Sequence, residues 1–302
     1  MEGINTPLVI KAPAKVNLLL KIRSKRPDGY HELFTLMVPV MLFDTLRVVR
    51  KGRGIRLVCK GEDVPSNHDN LVWRACEAFF SETGLEPCVE IILEKKIPVA
   101  AGLGGGSSDA AFTLKALNRI HDEPLEQKRL HAIARGLGAD VPFFLDCRPS
   151  LATGIGDVLE PFLDLPRFWY VIVVPPFRVS TAWAYGQVKL ELTQPAENYI
   201  VKFQEPLYAR PDRFLENDLE AVVVEHFPVI GQIKKELLKA GADGVVMSGS
   251  GPSVVGLFRD RGKAEEALSL ASEGAGVRAF LTMAWEENGA IFERGPDKRR
   301  QT

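Results

Sequence analysis

The sequence is poor in cysteine, and its few cysteines are scattered. Among 302 residues there are four, Cys59, Cys76, Cys88 and Cys147, and no two of them form a C-x-x-C pair. They also show no metal-binding spacing with the five histidines. These absences exclude a disulfide scaffold and the common zinc motifs. We therefore expect free thiols in a reducing compartment.

Long apolar runs and an excess of one charge are also missing. No apolar stretch reaches the roughly 20 residues that cross a bilayer, and the first residues lack the basic-then-apolar order of a secretion signal. The net charge of −1 gives no general reason to expect a nucleic acid or membrane partner. With 46% hydrophobic and 25% charged residues the chain can bury a full core. We expect a cytoplasmic protein of enzyme size, a monomer or a weak homodimer, whose partners are small molecules.

Glycine, in contrast, is concentrated in one stretch. Residues 98–111 read Pro-Val-Ala-Ala-Gly-Leu-Gly-Gly-Gly-Ser-Ser-Asp-Ala-Ala, with four glycines in five positions. Such a run disfavours both helix and strand. The residues after it have helical apolar spacing, which predicts a helix capped by Ser107 or Ser108. A glycine loop that enters a helix presents free N–H groups and the positive end of the helix dipole, which together favour a phosphate group.

This loop is neither of the two common phosphate-binding motifs. No Lys-Ser or Lys-Thr follows the glycines as a P-loop requires, and Ser107 stands where the dinucleotide fingerprint has its third glycine. A flexible linker is the plainer alternative. Because a predicted strand over 89–93 precedes the loop and a predicted helix follows it, we favour the phosphate site.

Strand and helix patterns alternate along the rest of the chain, which indicates an α+β protein. Residues 10–22 alternate polar and apolar and predict a strand with Lys15 and Asn17 on one face. Further helices are predicted over 70–82, 125–135, 230–240 and 263–273, and strands over 168–174 and 277–285. We place a domain boundary near residue 155. We expect 198–214 to be a polar excursion of little catalytic content and 296–302 a frayed tail.

Three polar sites can be read in more than one way from the residues alone. Lys15 is a solvated strand lysine by general burial statistics. Tyr30 and His31 follow a Pro-Asp-Gly turn, and they are either a half-buried strand face or a ring that stacks on a base beside an imidazole that hydrogen-bonds it. Asp140 falls on a constrained turn. Gly138 is predicted to cap the C-terminus of the preceding helix, and Pro142 prevents that helix from continuing. By turn chemistry alone, Asp140 is a turn or capping residue.

Several of these segments resemble the GHMP kinase superfamily, which includes galactokinase, homoserine kinase, mevalonate kinase and phosphomevalonate kinase. The glycine loop resembles its ATP-binding loop, and Ser-Gly-Ser-Gly-Pro-Ser over 248–253 resembles its third motif. Ala-Lys-Val-Asn-Leu over 14–18, Arg-Pro-Asp-Gly-Tyr-His over 26–31 and Gly-Ala-Asp-Val-Pro-Phe over 138–143 resemble the diphosphocytidyl-methylerythritol kinase branch. The resemblance covers about residues 13–285.

The resemblance implies two α+β domains with an active site in the cleft between them. Residues 1–155 would be like domain 2 of ribosomal protein S5, and residues 156–302 would be ferredoxin-like. The implied reaction transfers the γ-phosphoryl group of ATP, with Mg²⁺, to the 2-hydroxyl of 4-diphosphocytidyl-2-C-methyl-D-erythritol in non-mevalonate isoprenoid synthesis. Two rivals stay open: another small-molecule kinase of the superfamily, such as a homoserine or mevalonate kinase, and a catalytically silent nucleotide-binding module.

The resemblance also implies residue roles. Lys15 and Asp140 would be catalytic, with Asp140 as the base. Substrate would be bound by Asn17, Tyr30, His31, Thr181 and Tyr185, with Trp183 as the alternative to Tyr185 on the far face of the cytosine. ATP would be bound by Asn70, Lys95, Lys96, Pro98, Val99, Ala100, Ala101, Gly102, Leu103, Gly104, Gly105, Gly106, Ser107 and Ser108. The loop would be supported by Ser248, Gly249, Ser250 and Gly251. The two lysines are equally consistent with a solvated edge, and the protein ligands of Mg²⁺ stay open, with Ser107 or Ser108 as candidates beside phosphate and water.

Overall fold

The computed structural model describes residues 6–188, 210–285 and 292–294, and these form two β-sheets flanked by helices. The predicted tail over 296–302 and most of the polar excursion over 198–214 lie outside the described residues. Within the described part, no helix has the length and apolar character needed to cross a membrane.

The first sheet is built around one long antiparallel pair. This pair is β1 (Leu8–Lys25) with β2 (His31–Arg50), and β4 (Cys88–Lys95) and β3 (Gly54–Gly61) follow β2 in the order. Strands β3 and β4 run parallel, and helix α1 (Leu71–Thr83) connects them, as a parallel pair requires. Shorter strands complete the sheet: β5 (Ser150–Thr153), β6 (Val158–Pro161), β8 (Glu216–Asn217) and β12 (Phe292–Arg294).

The second sheet is antiparallel and comes from the C-terminal half. Its order is β11 (Arg278–Met283), β7 (Trp169–Val174), β10 (Val254–Phe258) and β9 (Gly244–Met247). Helices α2 (Gly105–Ile120), α3 (Gln127–Leu137) and α4 (Val141–Asp146) join α1 against the first sheet. Helices α5 (Thr181–Gln187), α6 (Glu220–His226), α7 (Val229–Lys239) and α8 (Arg261–Ala271) belong with the second.

Three buried apolar clusters hold these elements together. Because successive side chains of a strand point to opposite faces of the sheet, one strand contributes side chains to two of these clusters. The first lies between α1–α4 and the first sheet. The second lies between the two sheets, and the third between the second sheet and α5–α8. In β7, Tyr170 and Ile172 face the first sheet, whereas Val171 and Val173 face the helices. The apolar strand over 168–174 was predicted, and both of its faces are buried.

The predicted helices over 70–82, 125–135, 230–240 and 263–273 are confirmed to within two residues. One local prediction was wrong. Neither Ser107 nor Ser108 caps α2, because this helix begins at Gly105 after Gly104, which takes a left-handed conformation with φ 67°. The predicted end of α3 is confirmed: the helix stops at Leu137 with Gly138 as its C-cap. A separate short helix, α4, then begins at Val141, and Pro142 is its second residue, where a missing N–H costs nothing.

The domain boundary near residue 155 stays a prediction. Strands β6, β8 and β12 come from residues beyond it and are hydrogen-bonded to the first sheet. The first sheet therefore includes chain from both sides of the predicted boundary.

Candidate active site

A cavity of about 1000 Å³ opens between the two halves of the structure. Its walls come from β1, the turn before β2, the glycine loop, the residue before α4, helix α5 and the turn after β9. Predicted site residues that line it are Lys15, Asn17, Tyr30, His31, Asn70, Lys95, residues 98–107, Asp140, Thr181, Tyr185, Gly249 and Ser250.

The glycine loop is shaped by close approaches that a side chain would block. Gly102 has φ 76°, and a Cβ there would lie 2.2 Å from the Ser248 carbonyl oxygen. A Cβ on Gly104 would lie 2.9 Å from Cγ of Lys15. The first three residues of α2 line the cavity, and first-turn N–H groups have no partner within a helix. The loop therefore turns backbone donors and the positive end of α2 toward the cavity, an arrangement that suits phosphate.

Lys15 and Asp140 meet on the wall of the cavity. Lys15 is buried, and its Nζ lies 3.5 Å from Oδ2 of Asp140 and donates to Oδ1 of Asn17 at 2.5 Å. Asp140 precedes α4 without making a side-chain capping bond. Its side chain is 33% exposed, so the carboxylate is accessible from the cavity. An accessible carboxylate beside a buried ammonium can accept a proton while the cation stabilises nearby negative charge.

A hydrogen-bond chain orients Asn17 and ties it to the glycine loop. Its Nδ2 donates to Oγ1 of Thr35 at 2.8 Å, and the Thr35 hydroxyl donates to the Leu19 carbonyl at 2.6 Å. Its backbone N–H donates to Oγ of Ser248 at 3.1 Å, and that hydroxyl donates to the Gly102 carbonyl at 3.0 Å. The turn over 248–251 is thus joined to both β1 and the loop.

Two residues in this network were missed from the sequence. Thr35 holds the Asn17 amide, and Asn217 donates to the carbonyls of Met247 and Gly249 at 2.7 and 2.8 Å. Their partners lie 18 and about 30 residues away. No local pattern signals such pairs, because they depend on how distant parts of the chain pack together.

Lys95 lies in a buried cluster with two aspartates that the sequence analysis also missed. Its ammonium is bonded to Asp44 and, at 2.7 Å, to Asp109, and all three side chains are at most 4% exposed. Asp44 also accepts from the N–H groups of Lys96 and Ile97 at 2.5 and 2.9 Å. Burial lowers the pKa of Lys95, but the two carboxylates outweigh it and the net shift is upward. Burial, together with the charge of Asp44, raises the pKa of Asp109 well above its usual range although Lys95 opposes this.

The structure does not bring two of the predicted ATP-binding residues to the cavity. Lys96 is exposed and absent from the cavity wall, and its carbonyl accepts from Arg278 at 2.8 Å. Ser108 is fully buried within α2 and does not line the cavity. Ser107, one residue earlier, does line it. A helix turns by about 100° per residue, which separates the two serines.

Asn70, another predicted ATP-binding residue, has a structural role at the start of α1. It caps α1 by accepting from the Val72 N–H at 2.9 Å, and its Nδ2 donates to the Pro65 carbonyl at 2.7 Å. The predicted cap is therefore confirmed. Pro65 and Leu71 line the cavity beside Asn70 and give this end an apolar surface.

Aromatic residues form another part of the cavity wall, the aromatic wall of Tyr30, His31 and Tyr185. Tyr30 is 59% exposed, and the His31 ring stacks on Tyr185 with centroids 5.3 Å apart and an interplanar angle of 28°. Burial and the charge of Lys25 lower the pKa of His31, so its imidazole is mainly neutral at pH 7. Burial, with the nearby charge of Asp140, raises the pKa of Tyr185.

Trp183, the alternative to Tyr185, lies elsewhere. Its ring makes edge contacts with His226 and Phe227 at centroid distances of 4.9 and 5.9 Å, within the third apolar cluster, and it does not line the cavity. Thr181, on the same helix, lies with its hydroxyl 2.9 Å from the Ser250 hydroxyl. Helix α5 thus presents Thr181 and Tyr185 to the cavity.

Comparison with known proteins identifies the family. Residues 70–147 match the family described as GHMP kinases N terminal domain, and residues 201–274 match GHMP kinases C terminal. A 4-diphosphocytidyl-2-C-methyl-D-erythritol kinase of Geobacter sulfurreducens is 46% identical over 92% of this chain and 98% of its own length. The chain belongs to the 4-diphosphocytidyl-2-C-methyl-D-erythritol kinase family. A member from Syntrophotalea carbinolica is 45% identical over 89% of this chain and 96% of its own length.

Solved structures agree with membership of the 4-diphosphocytidyl-2-C-methyl-D-erythritol kinase family. A crystal structure named 4-(cytidine 5'-diphospho)-2C-methyl-D-erythritol kinase is 37% identical with a TM-score of 0.76, covering 92% of this chain and all of that one. Homoserine kinase from Cytophaga hutchinsonii has a TM-score of 0.70 at 18% identity, covering 94% of this chain and 96% of that one, and this likeness shows the fold alone. The predicted α+β GHMP kinase fold is confirmed.

Proposed function

We propose that this protein is the kinase its family name describes, phosphorylating the 2-hydroxyl of 4-diphosphocytidyl-2-C-methyl-D-erythritol with ATP in isoprenoid precursor synthesis. Relatives with this name share 43–46% of its residues over most of both chains. The observation that carries the proposal is the Lys15–Asp140 pair in a cavity that also contains the glycine loop and an aromatic wall. A silent nucleotide-binding module would not need this pair.

The chemistry follows from the arrangement of this pair. The Asp140 carboxylate accepts the proton of the 2-hydroxyl while the hydroxyl oxygen attacks the γ-phosphorus, and the bond to the ADP oxygen breaks. A tertiary alcohol is a weak nucleophile, so removal of its proton by a positioned base contributes about 10²- to 10⁴-fold. The Lys15 ammonium, 3.5 Å from Asp140, stabilises the charge that spreads over the transferring phosphoryl group. Asn17 holds Lys15 in place through its Oδ1.

The glycine loop binds the phosphates of ATP in this proposal. Its support is the row of cavity-lining residues from Pro98 to Ser107 and the N-terminus of α2, which is 16 residues long. The base then lies toward Asn70, where Pro65 and Leu71 provide an apolar surface. Lys95 also lies in the wall, but its ammonium is held by Asp44 and Asp109, which offset its charge.

The available oxygens fit a Mg²⁺ ion carried mainly by the nucleotide. The described residues contain no group of three or more acidic, histidine or cysteine side chains arranged as a metal site. Ser107 lines the cavity, and Mg²⁺ commonly takes one or two protein oxygens beside phosphates and waters. When bound, the ion would neutralise phosphate charge. Ser107 is the residue that would hold it, because the Asp140 carboxylate must stay free to accept a proton.

The acceptor's cytosine lies against the aromatic wall. Tyr30 has an exposed ring face available for stacking, and Tyr185 lies beside His31. A neutral imidazole both donates and accepts hydrogen bonds, which suits the polar edge of a pyrimidine. Because Asp140 is near enough to influence Tyr185, the aromatic wall and the catalytic pair belong to one substrate site.

The deciding measurement is phosphorylation of 4-diphosphocytidyl-2-C-methyl-D-erythritol by the purified protein with Mg-ATP, with homoserine and mevalonate as parallel acceptors. We expect turnover with the cytidine compound alone. Asp140→Asn should lower kcat by about 10²- to 10⁴-fold with ATP affinity retained. Asp146→Asn, at the other end of α4 where it contacts His131, is the matched control and should keep parental kcat. Turnover of homoserine or mevalonate instead would overturn the substrate assignment, and normal turnover by Asp140→Asn would remove it as the base.

The oligomeric state and the cellular compartment stay predictions. We propose that the protein acts in the cytoplasm as a monomer or a weak homodimer. Sedimentation of the purified protein over a range of concentrations tests the first, and localisation of the tagged chain in cells tests the second.

A further inference from the structure

Three lysines are among the described residues that line the cavity, and two of them are already paired. Lys15 contacts Asp140, and Lys95 lies between two aspartates. Lys25, the last residue of β1, is exposed, and no carboxylate of the described residues is within ion-pair distance of its ammonium. Among the described residues, Lys25 is therefore the cavity lysine without a carboxylate partner.

The register of β1 and β2 determines where this charge lies. Lys25 and His31 are direct cross-strand partners, and opposed residues have Cβ atoms about 4.5–5.5 Å apart and point to the same face. Both line the cavity. The influence of Lys25 on the pKa of His31 agrees with this proximity. His31 in turn stacks on Tyr185, at the substrate end of the cavity.

The proposed acceptor places a dianionic diphosphate in this region. Its diphosphate joins the cytidine, which lies at Tyr30 and His31, to the sugar alcohol that reacts at Asp140. Arg26, the next residue, is already engaged by Asp28 and Glu32. Of the described lysines that line the cavity, Lys25 is therefore the one without a carboxylate partner that can bind a diphosphate near His31, and ammonium–phosphate hydrogen bonds are among the strong ones.

We propose that Lys25 binds the diphosphate of the acceptor and makes the site selective for nucleoside diphosphates over the uncharged nucleoside. This inference rests on the proposed function, because it takes the cytosine position from it. Lys25 is a specificity-determining residue in this proposal, and it has no part in proton transfer.

The kinetic test compares Lys25→Met, which removes the charge and keeps the length, with Lys25→Arg, which keeps the charge. For Lys25→Met we expect the KM of the acceptor to rise about tenfold, with kcat and the KM of ATP little changed. Lys25→Arg should recover most of the affinity, and added salt should weaken acceptor binding by the parent more than by Lys25→Met. Lys128→Met, an exposed lysine on α3 outside the cavity, is the control. An equal rise in the KM of both substrates, or none, would overturn the proposal.

A binding experiment separates this proposal from the proposed reaction. Titration calorimetry with cytidine and with cytidine diphosphate needs no turnover. We expect the parent to bind the diphosphate more tightly, and Lys25→Met to lose about tenfold for the diphosphate alone. If the ratio of the affinities for cytidine diphosphate and cytidine is the same in the parent and in Lys25→Met, Lys25 does not bind the diphosphate. If the parent shows this selectivity but does not phosphorylate the proposed acceptor, the proposed reaction is contradicted and the role of Lys25 in diphosphate binding is still supported.

Discussion

Replacing Lys95 with methionine tests the buried charge cluster that underlies the glycine loop. The change leaves Asp44 and Asp109 without their shared cation, in a site where both carboxylates are at most 3% exposed. Asp44 keeps two backbone donors. Asp109 has no such backbone donor among the described residues: its Oδ1 has no hydrogen-bond partner, and its Oδ2 accepts from Lys95.

The expected cost follows from this difference. Removing one partner of a buried ion pair costs about 3–5 kcal/mol, which corresponds to a fall in Tm of about 6–20 °C for a protein of this class. The double variant Lys95→Met/Asp109→Leu replaces both partners with apolar groups, so it should regain much of the loss. Lys51→Met is the matched control, because Lys51 pairs with Glu90 but is 61% exposed, and such surface pairs contribute about 0–1 kcal/mol.

The loss should also depend on pH in a defined direction. The pKa of Asp109 is already raised in the folded protein by burial and by Asp44, and removing Lys95 raises it further. A carboxyl of this kind stabilises the fold fully below its unfolded pKa, near 3.8, and the contribution is lost as the pH rises through the folded pKa. Lys95→Met should therefore be closer to the parent at pH 5 than at pH 8.

Urea unfolding followed by circular dichroism at both pH values measures these differences. A stability of Lys95→Met within about 1 kcal/mol of the parent at pH 8, the range of an exposed pair, would contradict a stabilising role for the buried cluster. A double variant no more stable than the single one would contradict it as well.

Three further changes test the loop and the substrate end. Gly102→Ala should raise the KM of ATP at least tenfold in steady-state kinetics. The new Cβ would lie 2.2 Å from the Ser248 carbonyl oxygen, and residue 102 has a left-handed φ of 76°. A parental KM would mean that the loop does not bind the nucleotide in this conformation. Ser248→Ala should cost about 1–3 kcal/mol in urea unfolding, because Gly102 and Asn17 lose their partner, and a cost near zero would contradict the network. Tyr30→Ala should raise the KM of the acceptor and leave the KM of ATP unchanged. Because Tyr30 is 59% exposed, the Tm should stay the same. Equal effects on both KM values would contradict the placement of Tyr30 at the cytosine.

Local chemistry was enough to predict much of the fold. Asn70 caps α1 as predicted, because an N-cap side chain bonds to backbone only two residues away. The glycine loop and the helix after it were also found from local residue preferences. The start of that helix was not, since Gly104 takes a left-handed conformation where Lys15 and Phe144 crowd it. These contacts come from distant parts of the chain.

The choice between neighbouring residues depended on tertiary packing. Lys95 and Lys96 look alike in the sequence, but Lys95 is the last residue of β4, and Asp44 and Asp109 hold its ammonium inside. Lys96 lies just beyond the strand and is exposed. Trp183 and Tyr185 are two helical positions apart, so they face different directions. Packing against His226 and Phe227 takes Trp183 away from the cavity.

The sequence by itself determined the motifs, the helices and the residue types that the chemistry needs, because each depends on residues within a turn or two of one another. The tertiary structure alone decided which of those residues share a site. Lys15 and Asp140 are 125 positions apart, and the Lys15–Asp140 contact exists because β1 and the start of α4 meet beside the glycine loop. Contacts between residues so far apart in the sequence depend on strand register and on the packing of whole elements, which no local pattern encodes.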